Sequence, residues 1–370
     1  MSHPVVPEPG LPGTGQQETD RHAWATGGIE DLGGGVHRIP LPLPMAGLKA
    51  VNVYALLDDH GVDLIDAGIA LTYARDRLTD ALKELGREPG DVANYFITHA
   101  HRDHYTLAVE LRRSGFGSIS LGAGEQANLV AARELGHGDA SGFLADLGRM
   151  GALEVAVKLS AQSGRDNDRP GAQEWEDPDR WLADGTELDV RSMKLRAIHT
   201  PGHTRGHLVY HNEAAGLLFA GDHVLPHITP TIGFEPARNR LALRDYIGSL
   251  RLMLELPDSR LLPAHGPVQD STHKRVHELL AHHEQRLDEI LRVMQPGRST
   301  VYEVAQAVKW TRRQQRFADL EVVSQLLATG ETAAHLEVLV LRGQLARHTD
   351  EDGTDRYEVV TGASTRSAPA

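Results

Sequence analysis

Four short apolar runs in this chain each lead into a residue able to bind a metal. YFIT runs into HAHRDHY, from His99 to Tyr105; KLRAIHT is followed by Pro, Gly and His203; GLLFAGD ends on Asp222; and SRLLPAHG carries His265. Short apolar runs rich in β-branched and aromatic residues read as strands. Residues placed just beyond such strands gather where α/β folds build their binding sites. The surrounding pattern agrees: GVHRIPLPL, KAVNVYALLDD and GVDLIDAG read as strands, LTYARDRLTDALKELG as a helix closed by Gly86, VANYFIT as a buried strand and SISLGA as another. Alternating strands and helices predict a layered α/β fold.

The cluster at His99 decides the chemistry. In an extended segment residues two apart share a face, so His99 and His101 can converge on one ion. Asp103 and His104 fall at the turn into the next helix and can address a second. His203, Asp222 and His265 supply further ligands, and the two oxygens of Asp222 allow it to bridge. The chain has no cysteine, which excludes thiolate-held zinc, iron–sulfur clusters and a cysteine nucleophile. The expected ligands are therefore imidazole and carboxylate, with zinc as the first choice and manganese or iron as alternatives. Any one of these histidines alone would read as an ordinary loop residue; the recurrence after four strands is what reads as a metal site.

With 370 residues and 40% hydrophobic content, the chain is long enough for one large α/β domain plus an appendage, or for two domains. Residues 1–24, rich in Pro and Gly without periodicity, are expected to form a disordered arm. Residues 25–270 carry the strand rhythm, interrupted at about 124–178 by a mostly helical insertion with Leu129, Val130, Leu135, Phe143, Leu144, Leu147 and Met150 as its apolar positions. The insertion reads as extra helices packed on the core, with a lid or substrate-binding wall as the alternative. Residues 271–360 turn to helices, led by STHKRVHELLAHHEQRLDEILRVM, and close on a hairpin marked by Asp352 and Gly353; 361–370 read as a tail.

The net charge of −13 argues against a large nucleic-acid surface, although KWTRRQQR, from Lys309 to Arg316, is a small basic stretch. No run has the length of a membrane span, and the N-terminus lacks the basic flank and apolar run of a signal peptide. The expectation is a cytoplasmic protein without a membrane partner.

This arrangement resembles the metallo-β-lactamase superfamily over approximately residues 34 to 268. The family's HxHxDH is matched by His99, His101, Asp103 and His104, its later histidine by His203, its bridging aspartate by Asp222 and its final histidine by His265. LIDAG, with Asp66, is similar to the family's early strand and turn. The resemblance implies a four-layer αββα sandwich with the site along one edge of its two sheets. It also implies two divalent ions, with His99, His101 and His203 on the first, Asp103, His104 and His265 on the second, and Asp222 between them. A bridging hydroxide would be the nucleophile, oriented by Asp103 as the catalytic residue. Asp66 is then a supporting or structural residue rather than a ligand.

The metal motif is similar to that of glyoxalase II, but DHYTLA places Tyr105 and Thr106 where many relatives carry small glycines. Tyr105 is accordingly either a core aromatic or part of the pocket wall. The C-terminal helices and hairpin resemble the small winged-helix domain of the branch that includes endoribonucleases. The first expectation is hydrolysis of a small acyl thioester, ester or lactone; the alternative is an endoribonuclease or phosphodiesterase acting on single-stranded RNA. A non-catalytic metal-binding regulatory module is the third. A small-molecule partner is favoured over nucleic acid, and homo-oligomerisation is left open.

Other histidines are assigned by context. His207, in HTRGH, is expected to support a loop or ligand. His223 and His227, in DHVLPHITPTIGFEP, are candidates for the pocket or for proton donation, with a structural role as the simpler reading. His199 is expected to be packed or supporting, and His273, His277, His282 and His283 to line a solvated or interdomain face of the long helix.

Overall fold

The structure, a computed structural model, describes residues 22–360 except 45–47, 164–173, 192, 295–296, 298 and 312. Most of the expected N-terminal arm, and the expected tail 361–370, lie outside the described residues. The last residues assigned to that arm belong to a helical turn, Ala23–Thr26 (α1), whose Trp24 carbonyl accepts a hydrogen bond from Arg38.

The first sheet has seven strands in chain order: β1 Glu30–Gly33, β2 Val36–Pro42, β3 Ala50–Asp58, β4 Gly61–Ile65, β5 Val92–Phe96, β6 Ser118–Gly122 and β7 Arg180–Leu182. Strands β1 to β4 pair antiparallel, and β4 to β7 pair parallel. Parallel neighbours need crossovers, which α2 (Thr72–Glu84) and α3 (Arg102–Arg113) supply. The third crossover holds the expected insertion, with α4 Gln126–Gly136, α5 Ser141–Arg149 and α6 Leu153–Ser163. The second sheet comprises β8 Glu187–Val190, β9 Met193–His199, β10 Leu208–Asn212, β11 Leu217–Gly221 and β12 Arg260–Pro263, in the order β12-β11-β10-β9-β8. Its one parallel pair, β11 with β12, is joined through α7, Ala242–Glu255.

Three apolar clusters define the layers. One packs β2 to β6 against α2 and α3, through residues such as Val53, Leu64, Leu78, Tyr95 and Leu107. A second lies between the sheets, where Tyr54, Ile65 and Phe96 meet Leu195, Tyr210, Phe219 and Leu262. The third sits under α7 on the far side of the second sheet. Helix, sheet, sheet, helix is the four-layer order expected. Strand β4, covered on both faces, is buried at every residue, whereas the edge strand β8 alternates exposed and buried.

The C-terminal segment begins with α8, Thr272–Val293, capped by the Ser271 side chain on the Lys274 amide. Strand β13 (Ser299–Thr300) leads into α9 (Val301–Ala307) through a Thr300/Glu303 capping box. A hairpin of β14 (Lys309–Trp310) and β15 (Gln315–Arg316) follows, then α10 (Val322–Leu341), β16 (Leu345–Thr349) and β17 (Asp355–Val359). β13, β17 and β16 form a small sheet. Val276, Leu336 and Tyr357 share one apolar cluster with Leu250 and Leu261 of the larger unit and with Leu147 and Val155 of the insertion. The insertion packs on this segment directly, with the Tyr302 amide donating to the Met150 carbonyl at 3.1 Å.

KWTRRQQR is the β14–β15 hairpin. Trp310 is buried beneath Arg286, whose guanidinium lies 4.9 Å from the ring centre, and Arg316 pairs with Asp319 at 2.9 Å. The α8 histidines part company: His277 is exposed, whereas His283 is fully buried, with Nδ1 3.2 Å from Nε2 of His335 on α10. Among the described residues no helix is long and apolar enough to cross a membrane.

Candidate metal centre

The ends of β5, β9, β11 and β12 meet at one edge of the sandwich and bring the seven candidate ligands together. His99 and His101 lie just past β5. Helix α3 starts at Arg102, with His101 as its N-cap, so Asp103 and His104 occupy the first turn, where the helix dipole favours a carboxylate. His203, Asp222 and His265 follow β9, β11 and β12.

Two groups form. Nε2 of His203 is 3.2 Å from Nε2 of His99 and 3.0 Å from Nδ1 of His101. Asp222 Oδ2 lies 3.5 Å from the same His203 nitrogen, and one ligand atom from each of these four residues falls within 4.8 Å of the others. In the second group, Nε2 of His265 is 3.4 Å from Asp103 Oδ2 and 3.4 Å from Asp222 Oδ1, while Nε2 of His104 is 3.8 and 3.7 Å from the same two oxygens. Asp222 thus directs one oxygen to each group.

The outer nitrogens fix the rings. Nδ1 of His203 meets the Thr231 carbonyl, Nδ1 of His265 the Ala50 carbonyl and Nδ1 of His104 the Asp66 carboxylate, each at 2.8 Å. A nitrogen that donates to such an acceptor leaves the other as a lone pair, facing inward. His99 is held likewise: its Nδ1 is 3.0 Å from the Thr98 hydroxyl, which itself donates to Asp66 at 3.0 Å. Asp66 adopts a left-handed backbone with φ of 59°, a conformation aspartate tolerates better than most residues. Both its oxygens are occupied by Thr98 and His104.

A divalent cation fits this donor set. Among the described residues, Nε2 of His104, Nε2 of His265 and Oδ1 of Asp222 are buried with no hydrogen-bond partner, and leaving such groups unsatisfied costs about 1–3 kcal/mol each. Burial, reinforced by the neighbouring imidazoles, holds His99 far below the ordinary histidine value. Burial likewise brings His101 and His203 down to about 3. All three are neutral near pH 7, as ligands must be. In the second group burial acts to push Asp103 up, but His104 and His265 outweigh it and hold the carboxyl well below its usual range. His104 is raised to about 10, since Asp66, Asp103 and Asp222 together overcome burial; a cation taking its Nε2 lone pair would displace that proton.

The supporting candidates take distinct places. His207 bonds the Thr200 hydroxyl at 2.9 Å, and its Nε2 accepts the Asp222 amide at 3.1 Å, so it fixes the backbone of the residue between the two groups. His223 is fully buried edge-on to Tyr246, 5.3 Å between ring centres, and His227 is half-buried on the loop beyond. His199 bonds the Arg205 carbonyl at 2.8 Å. Tyr105 is a core aromatic and not a pocket wall: it is fully buried, stacks on Trp175 and donates to the Glu176 carbonyl at 2.5 Å. It points into the helix-covered face of the first sheet because α3 turns that side away from the ligands.

Sequence reasoning missed several supports. Thr98 had a signal, standing immediately before His99. Thr231 and Ala50 act through backbone carbonyls and had none. Glu125 is fully buried, accepts from Thr204 beside His203 and is linked through Asn128 to Glu235. Burial raises Glu125 to about 7.

A family model described as "Metallo-beta-lactamase superfamily" matches residues 46–265, and one described as "Metallo-beta-lactamase-like, C-terminal domain" matches residues 287–360. The lactamase-like protein aptB of Emericella nidulans is 29% identical over 163 residues, 44% of this chain and 46% of that protein. The beta-lactamase-like protein 2 homolog of Caenorhabditis elegans is 35% identical over 114 residues, 31% and 36% of the two chains. The chain therefore spans less than half the length of these curated relatives. A metallo-beta-lactamase family protein from Thermus thermophilus superposes with a TM-score of 0.72 at 28% identity, covering 89% of this chain and 100% of that one. A beta-lactamase domain protein from Burkholderia ambifaria, at 24% identity, shares the fold with a TM-score of 0.68 over 90% and 93% of the chains. The layered fold and the converging strand ends agree with the family match over residues 46–265: the chain belongs to the metallo-beta-lactamase superfamily and has its hydrolase fold.

Proposed function

We propose that this protein is a hydrolase dependent on two divalent ions, zinc by donor chemistry, and that it cleaves a small acyl thioester, ester or lactone. The observation that carries the reading is the Asp222 carboxylate, with one oxygen beside His203 and the other beside His265. His99, His101 and His203 would hold one ion, Asp103, His104 and His265 the other, and Asp222 both. When bound, such ions supply Lewis acidity to an acyl carbonyl and lower the pKa of water.

The chain's own residues do the rest. Asp103, kept ionised by His104 and His265, is available to orient a water. Asp66, Thr98, Thr231 and Ala50 hold the imidazoles so that little reorganisation is needed during the reaction. His101 is the least buried histidine of its group, which supports an approach for substrate on its side.

The charge of −13 supports a small acyl substrate over RNA. So does the state of the basic hairpin, where Arg316 is neutralised by Asp319 and Trp310 is covered by Arg286. The C-terminal segment is read as winged-helix-like from its helices and terminal hairpin, without a nucleic-acid role. The test is chelator-sensitive turnover of acyl thioesters and lactones by metal-loaded protein, with labelled single-stranded RNA as the comparison arm. Acyl turnover that disappears in Asp103→Ala supports the reading. RNA cleavage lost in the same variant, with no acyl turnover, replaces its substrate.

A further inference from the structure

The segment between Gly221 and Ala242 contains neither helix nor strand, yet it begins with Asp222 and carries the Thr231 carbonyl that meets Nδ1 of His203. A long irregular segment loses much conformational freedom when ordered, and something must hold it. Here three anchors come from the C-terminal segment. Arg275 on α8 donates to the carbonyls of Leu225 and Ile228 at 2.6 and 3.0 Å. Arg240, at the far end, pairs with Asp355 of β17 and lies 3.6 Å from Glu337 of α10. Glu337 is itself fixed by two 2.8 Å bonds from Arg347 and a third from the Tyr357 hydroxyl.

The third anchor is the most exacting. Gly233, two residues past Thr231, has φ of 83° and faces Gly330 in the middle of α10. A Cβ on Gly330 would lie 2.8 Å from the Gly233 carbonyl oxygen, and one on Gly233 would lie 2.6 Å from that of Gly330. Neither contact can be relieved by rotating a side chain, because both obstacles are backbone. Glycine inside a helix is destabilising relative to alanine, so its presence at this position reflects the approach and not the helix. The neighbouring Ile232 is fully buried in the apolar cluster shared with Ala333, Ala334 and Leu336 of α10. The same segment also reaches the loop of His203 directly, since Arg205 donates to the Ala237 and Arg238 carbonyls and its amide to Glu235 at 2.9 Å.

We infer that the C-terminal segment is part of the scaffold of the metal centre, with Gly330 and Arg240 as positioning residues that hold the Thr231 carbonyl against His203. The inference rests on the reading of His203 as a metal ligand. It gives the C-terminal segment a role that needs no nucleic acid: α10 sets the height of the loop at Gly233, Arg240 sets its far end, and the Thr231 carbonyl between them orients the imidazole. Losing such an outer partner typically weakens metal binding 10- to 100-fold.

The test is cobalt(II) titration of the full chain, following the visible d–d bands, for the wild type, Gly330→Ala, Arg240→Ala, Arg240→Lys and His203→Ala. On a free helix Gly330→Ala would be neutral or stabilising. The expected result is a native circular dichroism spectrum, affinity for one of two cobalt equivalents weakened about 10- to 100-fold, and altered bands for that equivalent alone. Arg240→Ala should act in the same direction and Arg240→Lys recover part of the loss. Wild-type affinity and bands in both Gly330→Ala and Arg240→Ala overturn the inference. If Gly330→Ala does not fold, Arg240→Ala decides alone, since its side chain is about one-third exposed. Failure of the underlying reading looks different: the wild type would not take up two equivalents, or His203→Ala would bind both as the wild type does.

Discussion

Asp66 and His104 meet through a 2.8 Å contact between the Asp66 carboxylate and Nδ1 of His104, and both side chains are almost wholly buried. The contact holds the imidazole with Nε2 turned towards Asp103 and Asp222. Asp66→Ala removes that acceptor and leaves a buried N–H unpaired, so the second group should bind its ion about 10- to 100-fold more weakly. The first group should lose less, because Asp66 touches it only through Thr98. Competition for zinc against a chromophoric chelator measures both, and equal weakening of the two sites would contradict this division.

Asp222 gives a complementary prediction. One of its oxygens lies by His203 and the other by His265, so Asp222→Ala should depress metal content at both sites, whereas His265→Ala should depress only the second. Turnover should vanish in Asp222→Ala and in His101→Ala. Elemental analysis after gel filtration reads the stoichiometry, and an Asp222→Ala protein that retains two tightly held ions would remove the bridging role.

How much of this was legible follows from where each interaction lies along the chain. His99, His101, Asp103 and His104 are contiguous, and the strands before His203, Asp222 and His265 are apolar enough to mark their own ends, so the ligand set could be proposed from local pattern. The same strands gave a layered α/β fold, while the order of the layers came from the family resemblance. The outer contacts were not legible. Thr231 and Ala50 act through carbonyls that every residue possesses, and Glu125 meets Thr204 only because the segments that follow β6 and β9 are brought together from distant parts of the chain. Tyr105 shows a choice that sequence left open: it could pack in the core or line the pocket, and the direction of α3 puts it in the core. The packing of α5 and α6 on the C-terminal helices could not be read from helical periodicity, which shows an apolar face without naming what covers it.

Metal removal should also lower stability. Without a cation the buried Nε2 atoms of His104 and His265 and Oδ1 of Asp222 lack hydrogen-bond partners among the described residues. A ligand present at about 1,000 times its Kd stabilises the folded state by roughly 4 kcal/mol. For a chain of this size, stripping the ions should lower Tm by on the order of 5–10 °C. Differential scanning calorimetry with and without chelator tests this, and re-addition of zinc should restore the transition. An unchanged Tm in a protein shown to have released its metal would mean that the centre adds nothing to the fold.

Glu125 provides a pH signature separate from the ligands. Burial raises its carboxyl from the ordinary 4.5 to about 7, with hydrogen bonds from Thr204 and Asn128 opposing the shift. Between those two values the folded chain retains a proton that the unfolded chain has released. The stability associated with this group is therefore fully present below pH 4.5, falls as the pH rises, and is lost above about 7. A shift of this size corresponds to on the order of 3 kcal/mol across the window. Glu125→Gln cannot ionise, so its Tm should rise relative to that of the wild type as the pH goes from 5 to 7, and it should compare better with the wild type at pH 8 than at pH 5. Buried histidines held low, His101 and His203 among them, add a slope of the opposite sign in both proteins, so the quantity to read is the difference between the two Tm profiles. A difference that stays constant from pH 5 to pH 8 would leave Glu125 ionised in the fold.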